Sequence, residues 1–363
     1  MSLLQNLTSD TSGATPAAAG AAVATDARLA ALTAWLATLD VVDVTTARPA
    51  SADASFRRYF RVDVLPQHRA SLGATLIVMD APPERENVLA FVKVDEMLTH
   101  AGVTVPRIVA TDYERGFMLM SDLGVTTYLQ VLDHDNASTM YAEALEALVR
   151  FQATSAPDVL PEYDRAFLLR ELNLFPEWYI GKHLGATLTD KQNAELRGVF
   201  DAILANVTAQ QQVYVHRDFH SRNLMWMDAG NPGVLDFQDA LYGPVTYDLA
   251  SLLRDAYVQW DEELVLDWAI RYWQHAKSAG LPVNKDIDAF YQDFEYMGLQ
   301  RHLKILGIFS RLHHRDGKDQ YLGDLPTVLD YVRKTAGRYK DLKPLLRLLD
   351  ALEDKQPQVG YTF

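Results

Sequence analysis

Residues 213–224 read Val213-Tyr-Val-His216-Arg217-Asp218-Phe-His220-Ser-Arg-Asn223-Leu224, an apolar run that passes into a polar loop, 216–223, and turns apolar again. Hydrogen-bonding and charged side chains therefore gather at the end of a short buried strand. Downstream, Asp228-Ala-Gly-Asn-Pro-Gly233 is rich in turn formers and is flanked by apolar residues at 224–227 and 234–237, so 224–237 reads as a β-hairpin. Pairing across that turn would set Asn223, at the start of one strand, opposite Asp236, at the end of the other. An amide oxygen and a carboxylate so placed make a hard oxygen site suited to Mg²⁺, which completes its shell with waters and phosphate oxygens. Asp218 lies on the same loop, free to accept a proton rather than bind metal.

Taken singly, Asn223 and Asp236 are ordinary hairpin-end residues. Their spacing changes the reading. His216-Arg217-Asp218-x-x-x-x-Asn223 reproduces the phosphotransfer loop H-R-D-x-x-x-x-N, and Asp236-Phe237 follows at hairpin distance, as the metal-binding Asp-Phe does in kinases.

The rest of the chain divides around this island. Up to residue 120, β-type patterns at 56–64, 74–79, 105–110 and 117–120 dominate, with helical spacing over 86–100 and from an Asp26 cap to about Leu39. Beyond residue 125 helical periodicity takes over, at 139–152, 175–183, 190–206, 248–260, 262–279, 286–310 and 327–336. The expected fold is α+β and two-lobed, protein-kinase-like, with a small β-rich N-lobe and a larger, mostly helical C-lobe. Residues 1–26 read as a disordered tail, 27–120 as the nucleotide-binding lobe, 121–125 as a hinge and 126–363 as the C-lobe with the catalytic loop and substrate pocket.

Composition narrows the function classes. The 363 residues contain no cysteine, which excludes disulfides, thiolate metal sites and cysteine nucleophiles. A net charge of −14, from 34 Lys+Arg against 48 Asp+Glu, has the wrong sign for general affinity to nucleic acid or anionic lipid. No nucleic-acid, membrane or obligate protein partner is expected, and an anionic ligand would need a local basic cluster. No run reaches the roughly 18 apolar residues of a membrane helix. Arg28 is the first positive charge, so a secretory leader is not expected and a cytoplasmic protein is. The phosphate and dinucleotide loops G-x-x-x-x-G-K-[ST] and G-x-G-x-x-G are both missing.

Three runs, His216-Arg-Asp-Phe-His-Ser-Arg-Asn223, Leu235-Asp-Phe-Gln-Asp239 and Gly243-Pro-Val-Thr-Tyr-Asp-Leu249, resemble the aminoglycoside phosphotransferase and choline-kinase group of small-molecule kinases. The 11 residues between Asp236 and Asp248 leave no room for an activation segment, so protein substrates are not expected. The resemblance implies ATP and Mg²⁺ as cofactors, Asp218 as the residue that accepts or positions the acceptor hydroxyl, Asn223 and Asp236 as metal ligands, and His216 and Asp248 as supports of the catalytic loop. Ala54-Ser-Phe-Arg-Arg-Tyr-Phe-Arg61, Met79-Asp-Ala-Pro-Pro-Glu84 and Leu235–Pro244 are further similar to one branch of the group, the bacterial anomeric kinases of N-acetylmuramate and N-acetylglucosamine. That likeness implies transfer from ATP to the C1 hydroxyl of an amino sugar during cell-wall sugar recycling. An aminoglycoside or other small-alcohol phosphotransferase, and a pseudokinase that binds nucleotide without turnover, are the alternatives.

The nucleotide side departs from the family. The loop that should cover the phosphates, 53–62, has no glycine. Either a turn at Ser55 brings Arg57 or Arg58 to phosphate oxygens, or this is an edge strand with exposed arginines. Met79 and Asp80 stand where the family's phosphate-pairing lysine would be. Glu96 is the candidate for that lysine's carboxylate partner, with a solvated helix residue as the alternative. Met120 to Leu123 would offer backbone groups to adenine. On the acceptor side, Gln238 and Asp239 either bind a sugar hydroxyl or fix the loop. Glu177 and Tyr179 supply a carboxylate and an aromatic face, or helix rim and core. Arg301, with Lys304 and Arg311 on one helical face, either meets a lactyl carboxylate or forms a solvated face. His302, His313 and His314 read as surface or packing residues.

Overall fold

A computed structural model describes residues 18–51 and 56–353. The chain divides into two compact units, Met1–Thr126 with Met225–Asp239, and Thr127–Leu224 with Ala240–Phe363.

The first unit is built on five strands, β1 (Val42–Ser51), β2 (Arg58–Val64), β3 (Thr75–Asp80), β4 (Ile108–Asp112) and β5 (Phe117–Ser121). Their order is β1-β2-β3-β5-β4, with every neighbour antiparallel. Strand alternation assigns the two faces. Val62, Val64, Leu76, Val78, Phe117 and Leu119 turn one face toward Leu32, Trp35 and Leu36 of the opening helix, α1 (Ala18–Leu39). That helix begins at Ala18, ahead of the expected Asp26 cap. The other face carries Arg57, Tyr59, Ile77 and Met79, and near it runs α2 (Val88–His100), capped by Asn87, which accepts the Ala90 amide at 3.2 Å. Strand β1 has no counterpart in the sequence reading. It holds Pro49, which a central strand would not tolerate, and it lies at the sheet edge, where a missing amide costs little.

Four short strands flank the loop 216–223: β6 (Gln212–Val215), β7 (Leu224–Met225), β8 (Gly233–Val234) and β9 (Leu241–Pro244), paired β6 with β9 and β7 with β8. The β7–β8 hairpin is shorter than the expected 224–237.

The second unit is mostly helical: α3 (Ala137–Ala153), α4 (Arg165–Leu172), a π-helix at Phe175–His183, α5 (Asp190–Ala209), α6 (Tyr247–Leu253), α7 (Glu262–Ser278), α8 (Ile287–Asp316), α9 (Leu325–Arg338) and α10 (Lys343–Leu352). Its axis is α8, 30 residues long. Asp286 caps it by accepting the Ala289 amide at 2.9 Å, and Gly317, at φ +65°, ends it in the left-handed conformation that glycine adopts without penalty. Residues 294–312 of α8 are buried throughout. Gly307 lets the segment before the π-helix approach: a Cβ there would lie 2.4 Å from the Leu174 backbone. Among the described residues no helix is long and apolar enough to cross a membrane.

Candidate active site

In the second unit, β6 and β9 pair from Gln212 opposite Pro244 to Val215 opposite Leu241, and the end of β6 releases the loop 216–223. Three buried carboxylates fix it. Asp248, in the first turn of α6, accepts the amides of His216 at 2.7 Å and Arg217 at 2.9 Å. Burial pushes its carboxyl up to about 7 against those two hydrogen bonds. Asp255 accepts the Ser221 amide at 3.0 Å and its hydroxyl at 2.5 Å. Glu171 of α4 binds the Arg217 guanidinium at 3.0 Å and the Lys304 ammonium at 3.2 Å. Burial alone would raise its carboxyl, but the two cations hold it below the usual range. Arg217 adopts φ +79°, a conformation costing an L-residue about 1–3 kcal/mol, and its ion pair and the Asp248 bond hold it there.

These bonds leave the chemistry-bearing oxygens of the loop available. Asn223 donates from Nδ2 to the Asp218 carbonyl at 3.0 Å, which leaves its Oδ1 as a hard donor. Asp218 is half-buried, and among the described residues its carboxylate accepts no hydrogen bond. Burial works against its charge, while Lys304, His220 and Arg217 favour it. His220 is buried and its imidazole is pushed down to about 4, so the ring is neutral at pH 7.

Other expected acceptor residues are distributed less simply. Arg301, Lys304 and Arg311 are all buried on α8, which excludes a solvated face. Lys304 is committed to Glu171 and to the Tyr247 hydroxyl, at 2.9 Å, whereas Arg301 acts through its charge on His220 and Asp248. Glu177 is exposed, and Tyr179 is buried, stacked between Phe175 at 5.5 Å and His183 at 5.7 Å; the π-helix does not turn the two to one face. His302 stacks on Tyr331 at 4.8 Å as a packing residue.

In the first unit the expected residues regroup. Arg58 is not on the cavity face. It is the cross-strand partner of Asp80, and it pairs with that buried carboxylate together with Arg28 of α1. Arg57, one residue earlier, takes the opposite face and is buried. Its Nε lies 3.1 Å from Glu86 and its Nη1 3.9 Å from Asp236. Burial works against its charge, and Tyr59, Glu86 and Asp239 more than offset that. Glu96 is exposed on α2. The carboxylate that meets an arginine is Glu86, the first residue of the expected 86–100 helix but two residues ahead of the observed α2, and no spacing in the sequence marks that contact.

Asp236 stands at φ +63° and its Oδ1 accepts the Gln238 amide at 2.9 Å, so Gln238 fixes this carboxylate. Phe237 packs on Phe91 of α2 at 4.7 Å. Arg57, Met79, Glu86, Phe91, Gln238 and Asp239 line a cavity of about 80 Å³. Met120 is buried in β5 opposite Ile77. Leu123 packs over Gly233, where a Cβ would come within 2.9 Å of its Cδ1. Between them, Asp122 is bound by Arg61 at 2.5 Å and Thr75 at 2.7 Å. Ser55 lies outside the described residues.

Each unit carries one oxygen donor of the hard kind that suits Mg²⁺, the Asp236 carboxylate in the first and the Asn223 amide oxygen in the second. Among the described residues no group of three or more His, Asp or Glu side chains is set to hold a metal by itself.

Comparison with known proteins identifies the family. The description "Phosphotransferase enzyme family" matches residues 46–281. The chain is 48% identical over 319 residues to the N-acetylmuramate/N-acetylglucosamine kinase of Neisseria meningitidis serogroup B, covering 86% of this chain and 93% of that protein. It is likewise 48% identical over 304 residues to the Pseudomonas putida protein of that name, covering 84% and 87%. Among solved structures, an ADP-bound aminoglycoside phosphotransferase superposes with a TM-score of 0.57 at 15% identity, over 84% of this chain and 98% of that one. A choline/ethanolamine kinase family protein from Mesorhizobium loti gives 0.55 at 13% identity, over 84% and 92%. The structural likenesses show the expected kinase-like fold. By the family match and these relatives, the chain belongs to the phosphotransferase enzyme family.

Proposed function

We propose that this chain transfers the γ-phosphoryl group of ATP to the anomeric C1 hydroxyl of N-acetylmuramate or N-acetylglucosamine. The acceptor reading is supported by relatives named for these two sugars at 48% identity over 84–86% of the chain. The observation that carries the chemistry is the Asp218 carboxylate, held on a loop pinned by Asp248, Asp255 and Glu171 and accepting no hydrogen bond among the described residues.

In this reading Asp218 accepts a hydrogen bond from the acceptor hydroxyl, orients its oxygen in line with the γ-phosphorus and takes the proton as the new P–O bond forms and the bond to the leaving ADP oxygen breaks. The kinase-like motif resemblance assigns Mg²⁺ ligation to Asn223 and to Asp236, and the ion when bound would neutralise charge on the phosphates. The neutral His220 beside Asp218 places no competing acid there. Preorganisation comes from the chain itself: the amide bonds to Asp248 and the Arg217–Glu171 pair fix the loop before substrate arrives.

An ATP-consumption assay with Mg²⁺ across N-acetylmuramate, N-acetylglucosamine, choline and kanamycin tests the proposal. Turnover with the two N-acetyl sugars is expected. Turnover with kanamycin or choline alone would replace the acceptor, and silence with all four would favour a nucleotide-binding protein without turnover.

A further inference from the structure

A buried arginine one residue ahead of β2 stands over a cavity where the neighbouring strand, β3, carries methionine. Met79 and Tyr59 are cross-strand partners, and Arg57 continues the same face by strand alternation. Both Arg57 and Met79 line the cavity. Three carboxylates surround this single guanidinium: Glu86 at 3.1 Å from Nε, Asp236 at 3.9 Å from Nη1, and Asp239 through its charge. A forked guanidinium gripped through Nε keeps its Nη edge directed elsewhere, and the directed side here is that of Asp236, the proposed metal carboxylate.

We infer that Arg57, oriented by Glu86, is the phosphate-binding cation of the nucleotide site, supplied from the residue that precedes β2 in place of a lysine on β3. The inference rests on the nucleotide-dependent reading above. In kinases a lysine on β3 and a helix glutamate form the pair that holds the phosphates; here β3 offers Met79, and the Arg57–Glu86 pair stands on the same face. Glu86 takes one edge of the guanidinium and fixes its plane. The Nη edge then meets anionic oxygens when Mg·nucleotide occupies the space near Asp236. Arg58 has no share in this, because it faces α1 and is bound to Asp80.

The test is calorimetric titration of the full chain with Mg·ADP and, separately, with adenosine. Arg57→Met should weaken Mg·ADP binding at least about tenfold, the scale of one charge-assisted phosphate contact, and leave adenosine affinity within about twofold. Adding Met79→Lys to Arg57→Met, which returns a cation to the same cavity from β3, should recover part of the Mg·ADP affinity. Arg57→Lys, which keeps a cation in place, guards against a variant that fails to fold and should bind Mg·ADP more tightly than Arg57→Met. Unchanged Mg·ADP affinity in Arg57→Met, or equal weakening of Mg·ADP and adenosine, would overturn the inference. Failure of the acceptor reading is separate: a wild-type protein that phosphorylates no N-acetyl sugar yet loses Mg·ADP selectivity in Arg57→Met loses its acceptor and keeps its phosphate cation.

Discussion

The two faces of the five-stranded sheet treat their charges in opposite ways. On the α1 face, the Asp80 carboxylate meets two arginines, Arg28 and Arg58. On the other face, one arginine, Arg57, meets three carboxylates, Glu86, Asp236 and Asp239. The first arrangement is closed by the protein alone and ties a helix to a strand. The second carries an excess of negative charge around a cavity, which a bound cation with its anionic ligand would complete. Adjacent residues at the entry to β2 thus serve scaffold and site, because alternation sends them to different sides. The loop 216–223 shows the same division: Asp248, Asp255 and Glu171 are committed to protein donors, whereas among the described residues the Asp218 carboxylate accepts none.

The comparison predicts that uncommitted groups govern turnover and committed ones govern stability. The largest effect belongs to Asp218→Asn, which should lower kcat by roughly 10²–10⁴, the scale of losing a general base, with Mg·ADP affinity within about twofold and an unchanged melting temperature. Comparable turnover in that variant would remove Asp218 from the chemistry. Next, Asp80→Ala should cost about 2–4 kcal/mol in denaturant unfolding, below the full range for breaking a buried pair because both arginines reach solvent. Arg58→Met should leave the ATP KM within about twofold, since its contact is with Asp80; a tenfold rise, the value expected of a phosphate contact, would put Arg58 back at the nucleotide.

Histidine burial gives a smaller, pH-dependent test. His220 and His302 are pushed by burial down to about 4 and about 3 from an ordinary 6.5. Between those values and 6.5 the unfolded chain binds more protons, so stability is complete above 6.5 and falls as the pH drops toward 4. The loss at pH 5 should be about 2 kcal/mol per histidine, and His302→Gln should flatten the melting profile over that window. Smallest of all, Glu96→Ala, at an exposed position, should shift stability by no more than about 0.5 kcal/mol and leave nucleotide affinity unchanged.

How much of this was legible in the sequence depended on whether the signal was local. His216–Asn223 compresses a catalytic spacing into one loop, and the loop sits where it was expected, at the end of β6 with Asp248 beneath it. Strand β1 was hidden by Pro49, which its edge position tolerates. The distinction between Arg57 and Arg58 was available in principle: Val62 and Val64 mark the core-facing parity of β2, and Arg58 shares it while Arg57 does not. Glu86 was not available, because its pairing with Arg57 is a tertiary contact with no periodicity or fixed spacing behind it. Burial of the cations along α8 was equally hidden, since helical spacing alone cannot tell a solvated charged face from one that meets buried carboxylates such as Glu171.

The proposed reaction is phosphorylation of an amino sugar at its anomeric oxygen, with Asp218 as the proton acceptor. The direct measurement is a ³¹P–¹H correlation spectrum of the product formed from N-acetylmuramate, ATP and Mg²⁺ by the wild-type chain, with Asp218→Asn as the paired sample. A phosphorus resonance coupled to the anomeric proton, present with wild type and missing over the same interval with the variant, is the predicted result. Phosphate on any other carbon, or an equal signal from both proteins, would contradict it.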